Sequence, residues 1–125
     1  MEIWVNPACS KCRAATALLD EAGIAYTGRR YLDEPPTAEE LTAVLDRLGL
    51  EPWDVARTGE PAAAEIGLAQ VPKDAENRDR WVAAMVEHPI LIQRPILTAD
   101  DGTTVVGRDP DALRKAVAAE GEPLG

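Results

Sequence analysis

Four β-prone residues, Glu2-Ile3-Trp4-Val5, run into an Asn-Pro turn and then into a helix-favouring stretch that carries both cysteines of the chain, Cys9 and Cys12. From about Ser10 the apolar residues Ala15, Leu18, Leu19 and Ala22 recur at the i, i+3, i+4, i+7 spacing of one helix face, and Gly23 is a suitable stop. The run "IAYTGRRY" (24–31) then predicts a second strand. Together these make a β-α-β unit, whose right-handed crossover lays the two strands parallel. A Cys-x-x-Cys between its first strand and its helix narrows the choice of fold further.

The remainder continues the pattern. Thr37 has the look of an N-cap, with Glu40 three residues on completing a capping box. The helix it opens carries Leu41, Val44, Leu45 and Leu48 on one face and stops at Gly49. A turn-rich stretch with one short helix near 60–66 follows, then a helix ending before Pro89 with Trp81, Ala84, Met85 and His88 on one side. A β-prone run at 91–99 is interrupted by Pro95, and "ADDG" followed by "TTVVG" makes 96–106 a hairpin. A last helix starts at Asp109 or Pro110, and "GEPLG" reads as a loose tail. At 125 residues the chain fits one domain, 1–125. The fold class is α/β, with the order β-α-β, a helical insertion at about 37–88, then β-β-α. With the cysteine pair after the first strand, this is the order of a mixed four-stranded, thioredoxin-like sheet.

Charge and cysteine count limit the chemistry. A net charge of −9 removes any general attraction to nucleic acid or anionic membrane. An anionic ligand would therefore need a local cluster of Arg or Lys. No apolar stretch reaches the roughly 18 residues of a membrane span. The N-terminus lacks the features of a secretory signal, so a cytoplasmic monomer is the expectation. Two cysteines and one histidine are too few for a closed zinc site. A structural disulfide across four residues would constrain only a short loop, and in the cytoplasm it would be unusual. What remains is a redox pair. Cys9, at the start of the helix, faces unpaired N–H groups that favour an anion, and Lys11 and Arg13 add positive charge. Cys12, one turn further in, is either a resolving thiol or a buried small hydrophobe.

Three arginines fall in separate later segments: Arg57 in "VARTGEP", Arg94 in "IQRPI" and Arg108 in "VVGRDP". With these, the sequence resembles the glutaredoxin-coupled arsenate reductase family. "NPACSKCR", with Asn6 and Cys9, matches that family's Asn-Pro-x-Cys loop; "ARTGEP", "EIGL", "HPILIQRPIL" and "VVGRDP" match its later segments in order, over almost the whole chain. The resemblance implies a thioredoxin-like fold with a helical insertion. It makes Cys9 the nucleophile and Arg57, Arg94 and Arg108 the ligands of arsenate, and it makes Pro95 a cis-proline opposite the cysteine. No bound cofactor is implied. An external reductant is implied instead: glutathione or another low-molecular-weight thiol, or a glutaredoxin or thioredoxin-like partner protein. Many members have one cysteine in this loop, with glutathione supplying the next thiol, so here Cys12 could replace or supplement that thiol. Val5 stands where members often carry His. The Cys-x-x-Cys also resembles Spx-type regulators that bind RNA polymerase; these typically lack the third arginine, so Arg108 favours the enzyme. A thiol oxidoreductase that does not use arsenate is the other alternative.

Overall fold

A computed structural model describes residues 1–120; the stretch 121–125, expected as a tail, lies outside the described residues. The chain forms two compact units: Met1–Tyr31 together with the segment from Arg94 onward, and Leu32–Gln93. The second contains the predicted helical insertion with its flanking loops.

The first unit comprises β1 (Glu2–Val5), α1 (Ser10–Glu21) and β2 (Thr27–Arg30), then β3, β4 and α5, spanning Ile96–Thr98, Thr104–Val106 and Pro110–Ala119. The strand order is β2-β1-β3-β4, with β1 parallel to β2 and the other pairs antiparallel. This is the mixed, thioredoxin-like sheet. Ile3, Leu97 and Val105 stand in register across three strands. They form one core with Ala15 and Leu19 of α1 and Ala116 of α5. One prediction needs correction. The second strand is shorter than 24–31, because Ile24 and Tyr26 pack against this core before pairing begins. The hairpin expected over 96–106 forms, and its first strand begins directly after Pro95, which has no N–H to give a ladder. The buried face of α1 is Cys12, Ala15 and Leu19, whereas Ala22 is exposed. Gly23 follows with φ +69, the left-handed conformation that ends a helix readily only at glycine.

In the second unit, the helix Ala38–Leu48 opens on the expected capping box. The Glu40 N–H donates to Thr37 Oγ1 at 3.1 Å, and the Thr37 N–H donates to Glu40 Oε1 at 3.0 Å. This helix (α2) buries Leu41, Val44 and Leu45. A short α3 spans Pro61–Glu65, and α4 spans Arg78–Glu87. The buried face of α4 is Trp81, Val82 and Met85; His88 lies at the end of α4 as its C-cap, half-buried. Trp81 donates from Nε1 to the Pro72 carbonyl at 3.1 Å and meets Trp53 edge-on, with ring centroids 6.1 Å apart. Among the described residues no helix is long and apolar enough to cross a membrane.

Candidate active site

The loop between β1 and α1 is built by Asn6. Its Oδ1 accepts from the Ala8 N–H at 3.0 Å, its carbonyl accepts from the Cys9 N–H at 2.8 Å, and its own N–H meets the Cys12 sulfur at 3.4 Å. One residue thus sets the turn and touches both cysteines. Cys9 is the N-cap of α1, in extended conformation, and its carbonyl accepts from the Arg13 N–H at 3.1 Å. An N-cap side chain stands where the first helical N–H groups are unpaired. The Cys9 sulfur makes no formal capping hydrogen bond, but the N–H dipoles of Cys12 and Lys11 act on it.

The two free sulfurs are held in opposite protonation states. Burial pushes the Cys9 thiol up. The Cys12 N–H, the Arg94 guanidinium, the Lys11 N–H and the Cys12 side chain together outweigh burial and bring Cys9 down to about 7. Cys12 is 1% exposed. Burial pushes it up to about 11; the Asn6 N–H opposes this and the neighbouring Cys9 charge adds to it. Near neutrality Cys9 is therefore substantially thiolate and Cys12 a thiol. Of the two predicted cationic helpers, Lys11 acts on Cys9 through its backbone N–H. Arg13 donates from Nη1 to the Pro7 carbonyl at 3.1 Å, bracing the loop.

Arg94, 8% exposed, directly precedes Pro95, and the Arg94–Pro95 peptide is cis. Burial opposes its charge, while Tyr31 and the Cys9 thiolate hold its pKa above the ordinary guanidinium value. Arg108 donates from Nη1 to the Arg94 carbonyl at 2.8 Å. Tyr31 is fully buried just past the end of β2, and burial pushes its phenol up to about 12 against the pull of Arg94. Sequence reasoning passed over Tyr31; its one signal was a tyrosine closing the second β-prone run. Thus Arg94 acts directly on Cys9, and Arg108 and Tyr31 act on Arg94. Arg57 belongs to the other unit, where its Nη2 lies 3.2 Å from Glu60 Oε1. Among the described residues no three His, Cys, Asp or Glu side chains are grouped to hold a metal ion.

A thiolate with a guanidinium against it can attack an electrophilic oxyanion and hold the charge of that anion. Comparison with known proteins bears on which one. The ArsC family model matches residues 4–116. A protein of Streptomyces viridochromogenes, described as an uncharacterized protein in the glnII region, is 59% identical over 94% of this chain and 99% of its own length. An arsenate reductase of Neisseria meningitidis is 39% identical over 86% of this chain and 90% of its own. The solved structure of an arsenate reductase from Vibrio cholerae superposes with a TM-score of 0.82 at 37% identity, covering 93% of this chain and 98% of that one.

Proposed function

The chain belongs to the ArsC family, and on that premise we propose that it is a thiol-dependent arsenate reductase. The observation that carries this reading is the Arg94 guanidinium acting on a Cys9 sulfur that ionises near neutrality. Arsenate is a tetrahedral oxyanion, and a guanidinium offers it a fixed fork of donors that stays charged. The resemblance in sequence adds Arg57 and Arg108 as further ligands of the anion.

In the proposed reaction the Cys9 thiolate attacks arsenic, a sulfur–arsenic bond forms, and one oxygen leaves as hydroxide or water. Arsenic is still +5 at this stage. A second thiol then attacks the Cys9 sulfur and breaks the sulfur–arsenic bond. The bonding pair stays with arsenic, which becomes +3 and departs as arsenite, while the two sulfurs are joined in a disulfide. Cys12 is the candidate for this second thiol. Formation of the adduct removes the negative charge on Cys9, one of the influences that keep Cys12 protonated. Two thiol equivalents from glutathione, another small thiol, or a glutaredoxin or thioredoxin-like protein return the pair to the reduced state.

The test is arsenite production from arsenate with each of these reductants supplied in turn. The intact chain should turn over with at least one, and Cys9→Ser should abolish turnover while keeping the native circular dichroism spectrum. Cys12→Ser separates the two resolving routes: full activity with a small thiol makes Cys12 dispensable. Retained activity in Cys9→Ser, or no turnover with any reductant, removes the assignment. An Spx-type regulator would instead bind RNA polymerase, which a pull-down run in parallel would detect.

A further inference from the structure

The strand order makes β2 an edge of the sheet, and its register sets Gly28 beside Ile3 and Arg30 beside Val5. Ile3 packs on α1, and alternate residues share a face, so Gly28 and Arg30 lie on the side that α1 covers. A hollow of about 360 Å³ opens there, walled by Val5, Pro7, Thr16 and Tyr26 with Gly28 between them. Gly28 is the reason for the space. Its φ is not in the left-handed range, and a Cβ built on it would meet only Val5 Cγ2, at 4.0 Å. Neither the backbone nor the packing asks for glycine here, where it weakens the strand, and an unforced strand glycine marks a place where something else approaches closely. Arg13 and Arg30, both exposed, complete the cationic part of the lining. Among the described residues no Asp or Glu lines the hollow, and the sequence holds none from Ile3 to Leu19 or from Ala22 to Leu32. In a chain of net charge −9 this is a local reversal of sign. Cys12 lies on the wall of the hollow, whereas Cys9, Arg94 and Arg108 are not part of it.

We propose that this hollow seats a small thiol that carries carboxylates, with the carboxylates on Arg13 and Arg30 and the apolar body over Gly28. The inference rests on the reading of the chain as a thiol-dependent reductase and adds which chemical kind of reductant it takes, and where. The volume lies within the roughly 300–1,000 Å³ of small-molecule sites. Two guanidiniums with no acid beside them favour an anionic ligand; a neutral thiol gains nothing from them and a cationic one is repelled. The walls are largely apolar and suit the methylene groups between the charged ends of such a thiol. The lining shares no residue with the pair Cys9 and Arg94, so the thiol and arsenate are held at the same time.

The test uses the full chain carrying Cys9→Ser, which cannot form the sulfur–arsenic adduct, titrated calorimetrically with S-methylglutathione, a dicarboxylate whose blocked sulfur cannot exchange with a disulfide. It should bind, more weakly as ionic strength rises, and with the same affinity when sodium arsenate is present in excess. Gly28→Val suits an edge strand and fills the hollow, so it should weaken binding at least roughly 10-fold. Arg30→Gln should weaken it roughly 2- to 5-fold, the range for an exposed ion pair. No binding, displacement by arsenate, or an unchanged affinity in a folded Gly28→Val overturns the proposal. Arg30→Gln alters only an exposed side chain, so an unchanged affinity there overturns it even where Gly28→Val fails to fold. Turnover by the unmodified chain separates the two readings. Arsenate reduction with a glutaredoxin or thioredoxin-like protein, and none with glutathione, gives this surface to the protein partner and sinks this inference alone. Binding of S-methylglutathione without arsenate reduction by any reductant sinks the assigned reaction alone.

Discussion

Arg108 donates from Nη1 to the backbone carbonyl of Arg94 at 2.8 Å, so one arginine fixes the main chain that presents the other. A guanidinium can position a residue as well as bind an anion, and this contact is a positioning one. Arg108→Ala is expected to release the Arg94 carbonyl at a cost of about 1 kcal/mol in stability. It should also lower kcat/KM for arsenate by more than that figure alone would give, because Arg94 would no longer be held against the thiolate. Urea denaturation with arsenate kinetics below the unfolding transition checks both. Kinetics matching those of the unaltered chain would show that the bond does nothing for the site.

The opposite protonation of the two sulfurs predicts a particular pH profile. Cys9 ionises at about 7 and Cys12 at about 11. Alkylation by iodoacetamide needs the thiolate. Its rate should therefore be low at pH 5, rise through a midpoint near 7 and level off above it, with one thiol labelled per chain until the solution is strongly alkaline. The folded-state value is depressed, so the associated stabilisation is full above the ordinary thiol value of about 9 and is lost as pH falls through about 7. Arg94→Gln should move the alkylation midpoint upward. Mass spectrometry of the labelled protein gives both site and rate, and a midpoint near 9 in the unaltered chain would contradict the site described above.

Much of this arrangement was written locally in the sequence. The capping box of Thr37 and Glu40, the Asp109 cap and the strand-to-helix passage at Cys9 each depend on residues a few positions apart. A cap or a turn therefore announces itself wherever it occurs. The three arginines looked alike in sequence, since each sat singly in a loop. Their differences come from contacts distant in the chain or unweighed at short range: Arg94 with Cys9 and Tyr31, Arg108 with the Arg94 carbonyl, Arg57 with Glu60. Tyr31 was illegible for the same reason. A single buried polar residue has no period, and what it does depends on what the fold brings to it. Ile24 and Tyr26 have real β-propensity, but packing on the core overrides pairing.

Tyr31 is the partner of Arg94 least visible from sequence. It is fully buried, and its phenol and the Arg94 guanidinium act on each other. Tyr31→Phe keeps the ring and removes the oxygen. The expected outcome is a loss of roughly 1–3 kcal/mol, typical of leaving a buried charged donor short of an acceptor. KM for arsenate should rise and the Cys9 alkylation midpoint should shift. A purely structural tyrosine would lower the melting temperature and leave both site readouts unmoved well below it, which is the result that would remove Tyr31 from the positioning of Arg94.

Gly107 packs beside the loop that carries Arg94. Its N–H donates to the Pro95 carbonyl at 2.8 Å. A Cβ placed on Gly107 would stand 2.6 Å from Leu97 Cδ1, 2.9 Å from Leu113 Cδ2 and 3.3 Å from Pro95 Cγ. Its φ is not in the left-handed range, so the demand for glycine here comes from space. Gly107→Ala should therefore cost about 1–3 kcal/mol, the usual range for overpacking a filled core, and lower Tm by roughly 4 to 12 °C. Part of the displacement should reach Pro95 and so Arg94, raising KM for arsenate. Trimming one of the obstructions in a Gly107→Ala/Leu113→Ala double variant should lose less stability than the two single losses added together, because the second change removes one of the two clashes made by the first, the 2.9 Å approach to Leu113 Cδ2. Calorimetry on the four proteins of that cycle measures the coupling. Simple additivity, or a Gly107→Ala protein as stable and as active as the unaltered chain, would mean that the space around Gly107 relaxes freely and does not transmit to Arg94.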